Sequence, residues 1–337
     1  MANIVFTEGS GLNKSCYGEI LFPLRKMIED QAEPFEKNSL LNDLFSMETS
    51  EHFGESISGM TSMEGPKPVG EAGDYPTDGF QEDFISTFRH ETWKDAFHIS
   101  EEMVMDNNTI AIKSAPYDFL KAWHRTREIH GLRLYAEAVK GNTSFTYGGK
   151  AFSTLSADKV ALFSKVHPSK TGRQGNQSNL FADAFSADAL GAMESTMHGF
   201  KDANGAILDV RPDTILIPDL WPLRKAVLAA IGADKDPDTA NNGANIHFGR
   251  WNVIITPYLN DLITANTAPW ILLDSDRIKH GTCAVWYDRK PLTLKQTVAD
   301  NDNLVHKASG RWSAGFHDWR FAAVGGVSGG TDLIPAA

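Results

Sequence analysis

The segment from residue 54 to residue 80, GESISGMTSMEGPKPVGEAGDYPTDGF, limits the possible folds of this chain more than any other feature. It contains six glycines and three prolines and shows little apolar periodicity. From Glu51 to Asp83 there are eight acidic residues and one base, Lys67, so the local charge is −7. An irregular segment this long is unusual inside a compact domain. We therefore expect either an extended functional arm or a segment that orders on a partner.

The net charge of the chain is concentrated in its first quarter. Residues 1–86 contain 16 acidic and 5 basic residues, whereas the other 251 contain 27 of each, so the formal charge of −11 belongs to the first part. Binding nucleic acid through its phosphates needs a positive surface, and this composition argues against it. Apolar residues make up 42% of the 337 residues, enough for one large domain or two ordinary ones.

The cysteines and the N-terminus exclude several classes of protein. Cys16 and Cys283 are far apart and have no CxxC or Cys/His spacing, so we expect neither a zinc site nor a disulfide framework. We predict that both are unpaired, as in a reducing compartment. The N-terminus has no basic region followed by an apolar one, so we expect no signal peptide. No window approaches 18 apolar residues, so we expect no membrane span.

The clearest secondary-structure signal is a long helix over residues 115–140. Ser114 is a candidate N-cap, and Pro116 would lie in the first turn, where its missing N–H has no consequence. Gly141 follows the last apolar position and is expected to end the helix.

Shorter elements are predicted on both sides of this helix. Amphipathic pieces occur within residues 19–46, the second with Ser39 as its candidate N-cap, and alternating apolar residues indicate strand over 84–105. The other predicted elements are a helix at 185–199, a strand at Thr214–Pro218, a helix at Leu220–Ile231, and strands at Trp251–Tyr258, Trp270–Leu273, Cys283–Tyr287, Leu292–Val298 and Trp312–Val324. The last seven residues are expected to form a tail.

Two glycine-rich motifs resemble catalytic signatures but lack the required context. The sequence GVSGG at Gly326–Gly330 matches the nucleophile elbow G-x-S-x-G, which needs a helix after it and a later histidine. Only seven residues follow it and none is histidine, so we expect a flexible turn. Gly148-Gly149-Lys150 resembles the end of a P-loop, but Ala151 stands where Ser or Thr is needed, and we predict a hairpin turn.

Histidines near carboxylates were considered next. His90-Glu91 begins like the zinc motif H-E-x-x-H, but Lys94 lies nearest to the position of the second histidine. His317 and Asp318 are predicted to lie in a strand, where neighbours point to opposite faces. The eight tryptophans are spread through the predicted elements, which favours scattered core aromatics over a ligand cage.

The long helix carries both a candidate metal set and a basic set. His124 and Glu128 share one face, but His130 lies well round from them, so side chains in solvent or at an interface are the better interpretation. The basic residues are interrupted by acids, which favours a solvated or subunit-pairing face; they are Lys121, Arg125, Arg127, Arg133 and Lys140. No set of acid, base and nucleophile remains, and the sequence predicts no enzyme.

The order of segments points to a family. A short arm is followed by an acidic extended loop, strands, one long helix, an α/β region and late strands. Five stretches resemble the major capsid protein of tailed bacteriophages, especially the head subunits of Mu-like phages; they are residues 88–103, 209–218, 251–258, 270–275 and 312–321.

This resemblance implies an α+β protein with the Hong Kong-97 capsid fold. Its implied parts are an N-arm at 1–50, an E-loop with flanking strands at 51–106, a peripheral domain at 107–204 with its spine helix at 115–140, an axial domain at 205–278, and late strands returning to the peripheral domain with a tail at 279–337.

The resemblance also implies the function and the partners. The protein would assemble into pentamers and hexamers of an icosahedral shell around the double-stranded DNA genome, without sequence-specific binding of that DNA. No cofactor, metal or membrane is implied. A separate scaffold protein, a portal and a decoration protein are the expected partners, with assembly in the bacterial host cytoplasm and a final place in the virion capsid.

In such a shell the acidic loop would lie over a neighbouring subunit, where its charges meet basic residues. The candidate assembly residues are Glu64, Lys67, Glu71, Asp74 and Asp78 in the loop and Lys121, Arg125 and Arg127 on the helix. Three alternatives remain open from the sequence: an encapsulin-like nanocompartment shell, an adaptor or tail-assembly protein, and a metal-dependent hydrolase.

Overall fold

The computed structural model describes residues 35, 37–60, 66–71, 74–77, 82–100, 102, 109–172, 174–232, 245–264, 268–280, 283–299 and 303–333. The helical pieces predicted before residue 35, together with Cys16, Glu64 and Asp78, lie outside these residues. In chain order the described elements are α1 (Leu41–Leu44), β1 (Ser46–Thr49), β2 (Gly54–Met60), β3 (Glu82–Arg89), β4 (Glu91–Ile99), α2 (Thr109–Val139), β5 (Ser144–Tyr147), β6 (Lys150–Ser153), α3 (Ala187–His198), β7 (Thr214–Pro218), α4 (Trp221–Gly232), β8 (Asn252–Thr256), a 3-10 helix (Pro257–Leu262), β9 (Trp270–Leu273), α5 (Ser275–His280), β10 (Ala284–Val298), β11 (Leu304–Phe316) and β12 (Ala322–Gly325).

The first sheet has four strands in the order β1-β10-β11-β4. β1 is parallel to β10, and the other two pairs are antiparallel. The two strands predicted at Cys283–Tyr287 and Leu292–Val298 are one strand, β10, of 15 residues. Pro291 had suggested a break, but register irregularities on both sides of Lys290 accommodate it.

The long helix α2 begins earlier than the sequence predicted. It spans Thr109–Val139, 31 residues and about 46 Å, so Ser114 does not cap it and Pro116 lies inside it. A proline there removes one backbone hydrogen bond, which a helix of this length tolerates. The predicted C-terminal stop is confirmed: Gly141 has a positive φ of 77°, and the N–H groups of Gly141 and Asn142 bond to the carbonyls of Ala138 and Glu137. This pattern is the Schellman motif.

The second sheet has the strand order β12-β9-β7-β8. Every residue of β7, β9 and β12 is buried, and the first two have the predicted boundaries because each is an uninterrupted apolar run. The strand predicted at Trp312–Val324 is instead two strands in different sheets. β11 belongs to the first sheet, whereas β12 pairs with β9 in the second.

Two smaller antiparallel pairs complete the fold. The hairpin β5–β6 turns at Gly148 and Gly149, whose φ values of 57° and 80° fit the type I′ turn and confirm the predicted turn. β2 and β3 form a two-stranded ribbon. The strand predicted at 84–105 divides at His90, a buried residue hydrogen-bonded to Ser50 and Ser313, into β3 and β4.

Candidate assembly surfaces

One face of the first sheet packs against α2 through clustered tryptophans. Trp93 and Trp312 stack with ring centroids 4.6 Å apart and planes at 2°. Trp123 from α2 meets Trp312 edge-on at 5.6 Å, and Trp286 lies 6.0 Å from Trp312. The prediction of scattered core aromatics is therefore wrong for these four, which the strand register brings into one cluster.

Arg127, a predicted assembly residue, is committed inside the subunit. Its guanidinium donates to Asp288 at 2.8 Å and lies over the rings of Trp286 and Trp312 at 5.1 and 5.4 Å. Lys121 and Arg125, four residues apart on α2, are exposed. The helix thus offers at least two cations to a neighbour, and Arg127 supports the packing beneath them.

His130 lies within the aromatic cluster and is fully buried. Its ring is 4.5 Å from Phe152 and 5.3 Å from Trp93, and neither ring nitrogen has a hydrogen-bond partner. Burial lowers the pKa of His130 to about 4. Within the described residues, no group of three or more His, Cys, Asp or Glu side chains could hold a metal ion.

Glu128 and His124 attach the start of the described chain to α2. The Glu128 carboxylate accepts the Ser39 hydroxyl at 2.5 Å and the Leu40 N–H at 3.0 Å. Burial raises the pKa of Glu128, and burial lowers the pKa of His124, which stacks on Phe35 at 5.2 Å, to about 4. The predicted N-cap Ser39 is wrong as well: Leu40 occupies the N-cap position of α1, and no side chain caps it.

The remaining catalytic candidates also have structural positions. His317 and Asp318 follow β11 rather than lying in a strand; His317 bonds to Ser86, and Asp318 pairs with Arg277 and Arg320. Cys283 is a buried free thiol, and burial raises its pKa to about 12.

The chain after β12 is a turn, as predicted, but it packs against the body. The N–H groups of Val327 and Thr331 bond to the carbonyls of Phe181 and Leu180, and Leu333 N–H bonds to Asp183. The predicted tail therefore does not begin at Thr331.

The ribbon β2–β3 is held to the body at the base of the acid-rich segment, residues 51–83. The Lys170 ammonium donates to the carbonyls of Glu82 and Asp83 at 2.7 and 2.5 Å. Nearby, the Ser86 hydroxyl and the His317 ring are hydrogen-bonded at 3.0 Å. These contacts fix where the segment leaves the body.

Beyond this base the described residues of the segment bury little surface. Lys67, Glu71 and Asp74 are exposed, as predicted for loop charges. Val69 is 55% and Tyr75 is 96% exposed, although both side chains are large and apolar or aromatic. Apolar groups this exposed on an irregular segment are typical of an interaction site.

Sequence reasoning missed a second charged surface, which we call the basic face. It is the face of the first sheet opposite the tryptophan cluster, and strand pairing brings five cations together on it: Lys94, Lys290, Lys295, Lys307 and Arg311. Because they come from three strands separated in sequence, only the strand register could have revealed the set.

A long helix on one sheet, a second buried sheet and an acidic ribbon together define a protein built to tile with copies of itself. The comparison with families agrees: the family described as phage capsid protein matches residues 84–325, and the chain belongs to this family. No curated protein sequence matches the chain significantly.

Solved structures show the same fold at low sequence identity. The capsid of cyanophage P-SCSP1u is 9% identical with a TM-score of 0.53, covering 85% of this chain and 87% of that one. The structure of Mycobacterium phage Patience is 11% identical with a TM-score of 0.50, covering 99% and 97%. The holo-SrpI encapsulin complex from Synechococcus elongatus PCC 7942 is 11% identical with a TM-score of 0.47, covering 88% and 89%.

These findings establish the class of the protein. It has the Hong Kong-97-like capsid fold with mixed α+β structure. It is a major capsid protein, a non-enzymatic subunit whose copies form the phage head shell, and its place is the virion capsid. No helix within the described residues is long and apolar enough to cross a membrane.

Proposed function

We propose that this subunit forms the pentamers and hexamers of an icosahedral head that encloses double-stranded DNA without reading its sequence. The net charge of −11 supports this proposal, because an acidic wall does not adhere to the genome it confines. The resemblance to tailed-phage capsid proteins further implies assembly in the bacterial host cytoplasm with a separate scaffold protein, a portal and a decoration protein.

The proposed parts of the subunit follow the described elements. Residues 1–50 are the N-arm and 51–106 the E-loop with its flanking strands. Residues 107–204 form the peripheral domain, with α2 as the spine helix, and 205–278 form the axial domain. The last strands lie in 279–337, of which β12 joins the sheet of the proposed axial domain.

One observation carries the proposal that the acid-rich segment is an assembly arm. It is anchored at its base by Lys170, while its described side chains Val69 and Tyr75 are exposed. Such a segment gains its burial from a neighbouring subunit and meets its ordering cost on assembly. Glu64, Lys67, Glu71, Asp74 and Asp78 would then face cations of the neighbour, among which Lys121 and Arg125 are candidates and Arg127 contributes from beneath.

Deleting residues 62–78 tests this arm. The folded subunit should survive, because no core element is removed, whereas closed shells should be lost. Circular dichroism with a thermal melt reports the fold, and sedimentation of the assembly reaction reports the shells. The full-length chain with Glu71→Gln and Asp74→Asn is the matched control for charge alone. Unchanged shells from the deletion would show that the segment is no assembly arm.

Negative-stain microscopy of the expressed full chain distinguishes the alternatives. Closed shells around DNA, or empty shells and capsomer rings before packaging, support the proposal. Shells filled with cargo protein would indicate an encapsulin-like compartment, and small rings alone would indicate an adaptor or tail-assembly protein. A monodisperse monomer with stoichiometric zinc would indicate the hydrolase.

A further inference from the structure

We infer that the basic face is the docking site for the acid-rich segment of a second copy of this chain. The inference rests on the proposed role of the segment as an assembly arm. It moves the receiving surface from the exposed helix cations to the opposite side of the first sheet.

The first argument is the placement of like charges in the strand register. Lys295 lies directly opposite Lys307, and Lys290 lies directly opposite Arg311. Like charges directly opposite each other on one sheet face destabilise the pairing of the strands. An isolated subunit gains nothing from this arrangement, whereas an anionic partner turns the repulsion into attraction.

The second argument is that this charge is not neutralised within the subunit. Lys290 donates to the Ser309 hydroxyl at 2.8 Å. Lys94, Lys295 and Lys307 are exposed and make no ion pair within the part of the chain that the structure describes. Asp95, an acid at the rim of the same region, accepts the N–H of Ala96.

The third argument is shape. A depression of about 550 Å³ lies on this part of the sheet, lined by Lys94, Lys295, Lys307 and the small residues Ala96 and Ala308, among others. Its small residues leave room for one large side chain, and its lysines suit carboxylates on either side. A single tyrosine flanked by acids fits both requirements.

The acid-rich segment supplies that chemistry. Tyr75 is 96% exposed and adjoins Asp74, with Glu71 four positions before it. Neither carboxylate forms an ion pair in the described residues. The segment carries a charge of −7, and every copy in a shell of identical subunits presents both surfaces.

Charge reversal tests the pairing in the full-length chain. Lys295→Glu with Lys307→Glu should lower the yield of closed shells about tenfold or more, and so should Glu71→Lys with Asp74→Lys. Combining all four substitutions restores opposite charges and should recover most of the shells. Lys121→Glu with Arg125→Glu is the matched control on α2, and it should have the smaller effect.

Lys307→Glu alone separates assembly from folding. The new carboxylate lies opposite Lys295, so the unfolding midpoint of the free subunit should stay the same or rise while the yield of shells falls. A merely structural role of Lys307 would move the two measurements in the same direction, and that result would overturn the inference.

The other outcomes are equally decisive. If the variants with reversed lysines form empty shells normally but bind or retain DNA poorly, the basic face serves the nucleic acid and the inference is wrong. If deletion of 62–78 prevents closure while these reversals do not, the arm stands and only its docking site is refuted. If the deletion has no effect, the proposed function of the segment fails first.

Discussion

Trp312 and Arg311 are neighbours in β11, yet they serve opposite faces of the first sheet. Trp312 is 1% exposed and stacks within the tryptophan cluster beneath α2. Arg311 lies opposite Lys290 on the basic face, where no helix covers the sheet. The period of two in a strand lets one sequence satisfy two demands, one for the folded subunit and one for its neighbours.

The comparison shows where a shell protein places its unsatisfied interactions. On the helix side, Arg127 is paired with Asp288 and covered by tryptophan rings, so the charge is satisfied within the chain. On the other side, Lys295 and Lys307 repel each other. Substitutions on the two faces should therefore fail in different assays.

The largest effect is expected from Trp312→Ala on the helix side. Removing a buried tryptophan from a packed cluster costs about 3–5 kcal/mol of unfolding free energy, because it leaves a cavity. Urea denaturation of the unassembled subunit measures this cost. Trp221, 70% exposed on α4, supplies the matched control. Equal destabilisation by Trp221→Ala and Trp312→Ala would contradict the assignment of the cluster to the core.

The second prediction concerns His130 and pH. Its folded pKa of about 4 is below the ordinary value of 6.5, so the unfolded chain binds the proton more readily. The stability that follows from the neutral ring is complete above pH 6.5 and is lost as the pH falls towards 4, by about 3 kcal/mol in total. His130→Leu should reduce this acid sensitivity in denaturation curves taken from pH 7 to pH 4.

A matched change at exposed His280 controls for residue type in that experiment. The same loss of stability on acidification in His130→Leu and in the parent protein would refute the assignment. Other buried histidines, including His306 and His317, also have lowered pKa values through burial, so the variant removes part of the acid sensitivity rather than all of it.

The smallest of these effects is expected from Arg127→Ala. Loss of the charged hydrogen bond to Asp288 should lower the unfolding free energy by about 2 kcal/mol. Arg125→Ala, on the exposed side of the same helix, should change it by less than about 0.5 kcal/mol. Thermal melts of the two variants give the difference. A shell defect in Arg127→Ala with unchanged stability would instead assign this residue to assembly.

The sequence predicted those elements whose signal is local. The buried runs of β7 and β9, the Schellman end of α2 and the Gly148-Gly149 turn each depend on a few adjacent residues. Errors arose at prolines. Pro116 was interpreted as a helix start and Pro291 as a strand break, and tertiary context overrode both.

Candidate site residues were harder to predict, because a surface depends on register. Lys121 and Arg125 could be placed on the outside of α2 from helical periodicity, but the commitment of Arg127 to Asp288 joins residues 161 positions apart. The basic face combines residues from β4, β10 and β11, and no local pattern contains it. The partners of Glu71 and Asp74 remain predictions until a shell is observed.

Cryo-electron microscopy of shells assembled from the full-length chain tests the central claim directly. The account predicts closed shells in which the carboxylates of Glu71 or Asp74 lie within about 4 Å of the ammonium groups of Lys295 or Lys307 on an adjacent subunit. Shells whose basic face meets DNA or solvent, with the acid-rich segment bound elsewhere, would contradict it.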